Sequence, residues 1–232
     1  MTTIAKCLQA IRDRIHNAES AAGRNQGEVM LLAVSKAHPT EAVRAAYAAG
    51  QQAFGENYLQ EALAKQQELA DLTIAWHFIG PLQSNKTQAI AQHFSWVHSV
   101  DRLKIAERLN AARPADLPRL QVCLQVNVSG ETSKGGVAAT EAFALAQAIA
   151  KLPRLQLRGL MAIPAPTNSI AKQRQQFRMV RELQEAMQAQ GLTLDTLSMG
   201  MSDDFPAAIA EGATIIRVGS AIFGARQNVK LE

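Results

Sequence analysis

The chain has 232 residues, 47% hydrophobic and 19% charged, which is the composition of a folded domain and excludes disorder over most of the length. With 24 Lys and Arg against 20 Asp and Glu the net charge is +4, but the basic residues are dispersed and there are only two Trp and two Tyr, so no nucleic-acid partner is expected. Two cysteines, Cys7 and Cys123, exclude a disulfide scaffold and a four-cysteine zinc site, and no window approaches the ~18 uninterrupted apolar residues of a membrane span.

Charges interrupt the apolar stretch at the N-terminus and no signal-peptide core is present, so a cytoplasmic protein without a membrane partner is expected. Ile4, Leu8, Ile11 and Ile15 recur at three- and four-residue spacing, which predicts an amphipathic helix; Gly23 and Gly27 then break the pattern. From Glu28 the texture becomes an alternation. Apolar runs over 29–34, 52–55, 76–80 and 96–100 predict strands, separated by helical stretches over 40–49, 58–69 and 85–93. The series goes on with a helix over 101–109, a strand over 120–128, a helix over 138–151 and a strand over 155–163. A helix over 170–190, a strand over 194–199, a helix over 203–211 and a strand over 214–219 complete it. Thr40, Ser84 and Asp101 mark helix starts, and Gly50, Gly191 and Gly212 mark ends.

Near-continuous apolar strands alternating with helices imply a parallel sheet covered by helices. Eight strand–helix units fit between Glu28 and Ala225, about 25 residues each, which favours an α/β fold of the (β/α)8 TIM-barrel type over an open doubly wound sheet. No G-x-G-x-x-G follows the first strand, and no composition break marks a second domain. Residues 1–232 are therefore read as one barrel domain with an extra N-terminal helix.

In such a barrel the chemistry lies at the C-terminal ends of the strands. Lys36 follows an apolar strand and sits at that rim. Lost hydration there favours the neutral amine that Schiff-base chemistry needs; the alternative is a lysine that merely snorkels to solvent. The turns 199–204 and 218–221 combine glycine with Ser202 and Ser220. Small residues let backbone N–H groups approach an anion, so the pair reads either as a phosphate site or as two ordinary capped turns. Arg217 interrupts an apolar run. Buried, it needs a partner: an ion pair with Asp203 or Asp204, or a ring nitrogen of a cofactor that it keeps unprotonated. His77 in its strand reads either as a site residue or as packing. His93 and His98 show no metal-ligand pattern, Cys7 and Cys123 read as core, and the glycine loop 133–136 is too short for a Walker A motif.

Several segments carry a family resemblance: LLAVSK ending at Lys36, FGENYLQE from Phe54, WHFIGPLQSNK from Trp76 and VSGETSKGG from Val128. RGLMAIPAP from Arg158, LSMGMSDDFPAAIAEGAT from Leu197 and RVGSAIFGAR from Arg217 continue it. On these the chain resembles the pyridoxal 5′-phosphate (PLP) homeostasis protein family, also called YggS/PROSC. The resemblance implies the alanine-racemase-like N-terminal barrel, with PLP held by Lys36 as an internal aldimine. It implies that Ser202, Gly219 and Ser220 hold the phosphate and that Arg217 faces the pyridine nitrogen. Asn57, His77, Met161, Ser198 and Met201 complete the implied cofactor-binding set. The implied role is to bind, buffer and deliver PLP, with apo forms of PLP-dependent enzymes as partners and no catalytic residue. Two departures stand out. His38 occupies a position where several bacterial members have a second lysine, and Ser220 replaces a threonine but keeps its hydroxyl.

The alternative is a PLP enzyme such as an amino-acid racemase. Racemases of this barrel type draw a tyrosine from an additional C-terminal β-domain across a dimer interface. The sequence ends at Glu232, soon after the eighth unit, so that domain is not expected, and Tyr47 and Tyr58 lie in or near early helices. One base protonates both faces of a carbanion poorly, and an arginine at the ring nitrogen weakens the electron sink. A monomeric PLP holder, not an enzyme, is the expectation.

Overall fold

The strands of the computed structural model are β1 (Met30–Val34), β2 (Ala53–Glu56), β3 (Ala75–Phe78), β4 (Trp96–Val100) and β5 (Leu120–Asn127), then β6 (Val137–Ala138), β7 (Leu155–Met161), β8 (Thr196–Ser198) and β9 (Ile215–Val218). The structure describes residues 3–128 and 135–225. Residues 129–134, which hold most of the VSGETSKGG segment and part of the loop weighed against a Walker A motif, lie outside the described residues, as does Arg226 of the last segment. Neighbouring strands run in the order β4-β3-β2-β1-β9-β8-β7-β5, and β4 also pairs with β5. Every pairing is parallel. Eight strands thus close into a barrel, while β6 only extends β5 sideways through Val126 and Asn127.

The helices are α1 (Ile4–Ala21), α2 (Thr40–Ala48), α3 (Leu59–Glu68), α4 (Thr87–His93), α5 (Leu103–Ala112), α6 (Ala139–Ala150), α7 (Ile170–Ala189), α8 (Phe205–Ala210) and α9 (Ser220–Phe223). The helix after the last strand is a single turn. α1 packs against α2, α8 and α9 and covers the flank that α9 is too short to cover. Its buried stripe is Leu8, Ile11 and Ile15.

Strand periodicity divides the core in two. Leu31 and Ala33 belong to the large cluster between barrel and helices, whereas Leu32, Ala53 and Ile215 form a small apolar cluster of their own. A strand packed on both faces must be apolar at successive positions, which is why alternation is absent. Each fully buried Phe or Leu, such as Phe54, Phe78 or Leu32, contributes about 1.5–3 kcal/mol by leaving water.

Local boundaries shift in places. Residues 84–86 form a 3-10 turn before α4. α5 starts at Leu103 with no side-chain cap, and the Asp101 carboxylate accepts from the Arg102 guanidinium at 2.9 Å instead. Gly50 and Gly212 end their helices in the left-handed region, φ 84° and 94°. Among the described residues no helix is long and apolar enough to cross a membrane.

Candidate functional site

A cavity of about 300 Å³ opens at the C-terminal ends of the barrel strands. Lys36, Asn57, Met201, Ser202, Arg217, Gly219 and Ser220 line it. They come from β1, β2, β8 and β9 or the turns after them, so closure of the sheet brings together residues up to 184 positions apart in the chain (220 − 36). The cavity wall also includes His38, Ile79, Ile163 and Asp203.

Ser35 extends the β1 ladder by donating its N–H to Gly55 O at 3.0 Å. The chain then turns, with His38 N donating to Ser35 O at 3.1 Å, so Lys36 projects from the barrel rim. The His38 ring packs 5.1 Å from that of Phe223. Just past the end of β2, Asn57 carries a buried Oδ1 with no hydrogen-bond partner among the described residues. Behind it lies Gly80, where an added Cβ would stand 2.2 Å from Asn57 O. Only glycine lets the turn after β3 press this closely on Asn57.

On the opposite rim, Gly200 at φ 93° bends the chain out of β8. Met201 N then donates to Asp204 Oδ1 at 2.6 Å, and burial holds the Asp204 carboxyl above the usual carboxylate range. After β9, α9 begins at Ser220 with no side-chain cap. N–H groups in a helix's first turn have no intrahelical acceptors. A Cβ at Gly219 would meet Val34 O at 3.1 Å, so this turn packs directly on β1.

Arg217 forms part of the cavity and reaches into the barrel. Its Nη1 donates to Ser198 O at 2.5 Å and to Ser198 Oγ at 2.8 Å, and its Nη2 donates to Ala162 O at 2.9 Å. These oxygens take the place of the ion pair with Asp203 or Asp204 that the sequence left open. Burial lowers its pKa to about 10, which leaves it protonated at neutral pH.

Beneath the cavity the polar chain continues. Ser198 Oγ and His98 Nδ1 are 2.7 Å apart, and His98 Nε2 and His77 Nδ1 are 2.9 Å apart. β4 and β8 are not neighbours in the sheet, so the His98–Ser198 contact crosses the barrel interior. The His77 ring stacks on Trp96 at 5.3 Å and 4°. Burial pushes the His77 pKa down to about 3 and that of His98 well below its ordinary value, so both are neutral.

Seven of the ten residues named from the sequence thus line the cavity, while His77, Met161 and Ser198 are buried and are not among its lining residues. In the sequence His98 is weighed only as a metal ligand. Its signal was its position two residues beyond Trp96, the register partner of His77, since residues two apart share a strand face.

The family of the alanine racemase N-terminal domain matches residues 7–227. The chain is 62% identical over 226 residues to the pyridoxal phosphate homeostasis protein of Pseudomonas aeruginosa, with 97% of each chain covered. The chain belongs to the pyridoxal phosphate homeostasis protein family. Among solved structures it is similar to PipY of Synechococcus elongatus with PLP bound, at 41% identity and TM-score 0.85, covering 96% of this chain and 100% of PipY. It also shares the barrel of alanine racemase from Corynebacterium glutamicum, at 19% identity and TM-score 0.69, covering 97% of this chain and 63% of the racemase. In this member of the homeostasis family, the rim lysine, the buried arginine and the two glycine–serine turns face one cavity.

Proposed function

We propose that the protein binds PLP in the barrel-rim cavity, with Lys36 as its covalent attachment, and that it buffers and delivers the cofactor without turnover of its own. The observation that carries this reading is the convergence of Lys36, Arg217 and the Ser202 and Gly219–Ser220 turns on one cavity. The similarity to PipY, solved with PLP bound, supports it.

The residues present suit the group. The unpartnered buried Asn57 Oδ1 marks a side-chain amide with capacity for a ligand's polar atom. Gly219 lines the cavity and has no side chain, so its turn packs closely on Val34 and can present backbone to an anion. When bound, PLP supplies an aldehyde carbon to which a lysine amine adds with loss of water. Ser202 and Ser220 would donate to the phosphate, and Arg217, held by three oxygens, would face the ring nitrogen and keep it unprotonated.

Two observations favour holding over turnover. Arg217 is protonated at neutral pH and, facing the ring nitrogen, would weaken carbanion stabilisation. Neither tyrosine lines the cavity: Tyr47 packs on the outer core and Tyr58 is largely exposed. All the residues invoked come from one chain. Titration of the protein with PLP, followed by visible absorption and dialysis, should give saturable retention of one PLP per chain, and the loaded protein should restore activity to an apo PLP enzyme. Failure to retain PLP would rule the reading out; efficient racemisation of free amino acids would overturn its non-enzymatic half.

A further inference from the structure

Three charged side chains that the PLP reading leaves unused converge behind Lys36. Glu56 ends β2, and Glu61 and Lys65 lie one turn apart on α3. Their side chains are 0%, 13% and 5% exposed. Lys65 Nζ donates to Glu56 Oε1 at 2.8 Å, to Glu61 Oε1 at 2.6 Å and to Ser35 O at 2.7 Å. Ser35 Oγ donates to Glu56 Oε1 at 2.7 Å. Glu61 Oε1 also accepts the N–H of Ala37 at 2.7 Å. The cluster therefore grips the chain on both sides of Lys36, through the residue before it and the residue after it.

Stability alone does not account for such a cluster. Apolar side chains of the same volume commonly stabilise a core as well as a buried ion pair does. The backbone it holds is unusual. Ala37 has φ 59°, the one non-glycine residue with positive φ among the described residues. The left-handed region is unfavourable for alanine, so the conformation persists only where surrounding contacts impose it. The bond from Ala37 N–H to Glu61 is such a contact, and Lys65 fixes the Glu61 carboxylate that makes it.

We propose that Glu61 and Lys65, backed by Glu56, are positioning residues for Lys36: they lock the backbone of Ser35 and Ala37 so that the lysine side chain leaves the rim toward the cavity. The proposal rests on the reading of Lys36 as the PLP attachment.

The test is the variant Glu61→Ala, which removes the acceptor of the Ala37 N–H and leaves Lys65 paired with Glu56. In PLP-free protein the Ala37 amide should exchange with solvent at least about tenfold faster, with the amides of α7 unchanged. The PLP dissociation constant, read by visible absorption, should rise about tenfold. Glu61→Gln keeps an accepting oxygen and should recover both to within about threefold. If Glu61→Ala does not fold, the paired change Glu56→Gln with Lys65→Met removes the ammonium that fixes Glu61 together with the negative charge of Glu56, and both shifts in the same direction are expected. Unchanged Ala37 exchange in a folded variant overturns the proposal, as does faster exchange with unchanged PLP affinity. Borohydride reduction of the loaded wild type separates the two ideas. A label on another lysine defeats the Lys36 reading, whereas the Ala37 exchange, measured without PLP, still decides whether the cluster holds this backbone.

Discussion

Arg217 donates twice to Ser198, through one nitrogen to both the backbone oxygen and the hydroxyl, at 2.5 and 2.8 Å. A guanidinium has no acceptor, so the Ser198 hydroxyl must direct its own proton elsewhere, and His98 Nδ1 at 2.7 Å is the group placed to take it. His98 then carries its proton on Nε2 and donates to His77 Nδ1. One arginine at the cavity thereby sets the tautomers of two histidines beneath it.

Ser198→Ala would break this chain in the barrel interior. It leaves His98 Nδ1 and one Arg217 N–H direction unmet, which should cost about 1–3 kcal/mol for each buried group left unsatisfied. Urea denaturation at pH 7.5 reads the loss. A change smaller than about 0.5 kcal/mol would mean that the hydroxyl is not the link.

The same histidines predict acid sensitivity. The His77 pKa is lowered by burial from 6.5 to about 3, and that of His98 is lowered by burial as well. In this direction the unfolded chain binds the extra proton, so stability is full above about pH 6.5 and falls as the pH drops toward 3. His77 contributes a slope of about 1.4 kcal/mol per pH unit in that window. Urea midpoints at several pH values for wild type and His77→Gln should differ in slope by about one such increment; parallel curves would contradict the assignment.

Gly80→Ala should act on the site from outside it. The new Cβ would lie 2.2 Å from Asn57 O and 2.7 Å from Asn57 Cα, both backbone atoms that a rotamer change cannot move. The turn bearing Asn57 must shift, so PLP affinity should fall together with stability. A variant with wild-type PLP affinity would show that Asn57 does not contribute to the pocket.

Ser202 and Ser220 line the cavity from two different turns. The double change to alanine should weaken PLP retention by about 1–3 kcal/mol if both hydroxyls donate to the charged phosphate. Equilibrium dialysis measures this directly, and pyridoxal, which lacks the phosphate, should bind wild type and variant alike.

Much of this architecture is legible in the chain because strands packed on both faces must be apolar throughout. The runs around Leu32, Phe54, Phe78 and Ile216 therefore register as strands, and their number already points to a barrel. The flank covered by α1 is not legible: Gly224 marks the stop of the last helix after four residues, but nothing local says which element fills the space it leaves. The role of His98 is hidden for another reason: it depends on a contact between strands 100 positions apart that are not sheet neighbours. Glu61 and Lys65 show the opposite difficulty. At i and i+4 they have the spacing of an ordinary exposed helix pair, and only the packing of α3 on the rim buries them.

The central claim is that Lys36 is the residue that holds PLP. Its most direct test is to load the wild-type protein with PLP, reduce it with borohydride, digest it and locate the pyridoxyl group by mass spectrometry. The label should fall on the peptide containing Lys36 and should be lost in Lys36→Ala. A stoichiometric label on any other lysine of the wild type, or an undiminished label in Lys36→Ala, would contradict the account.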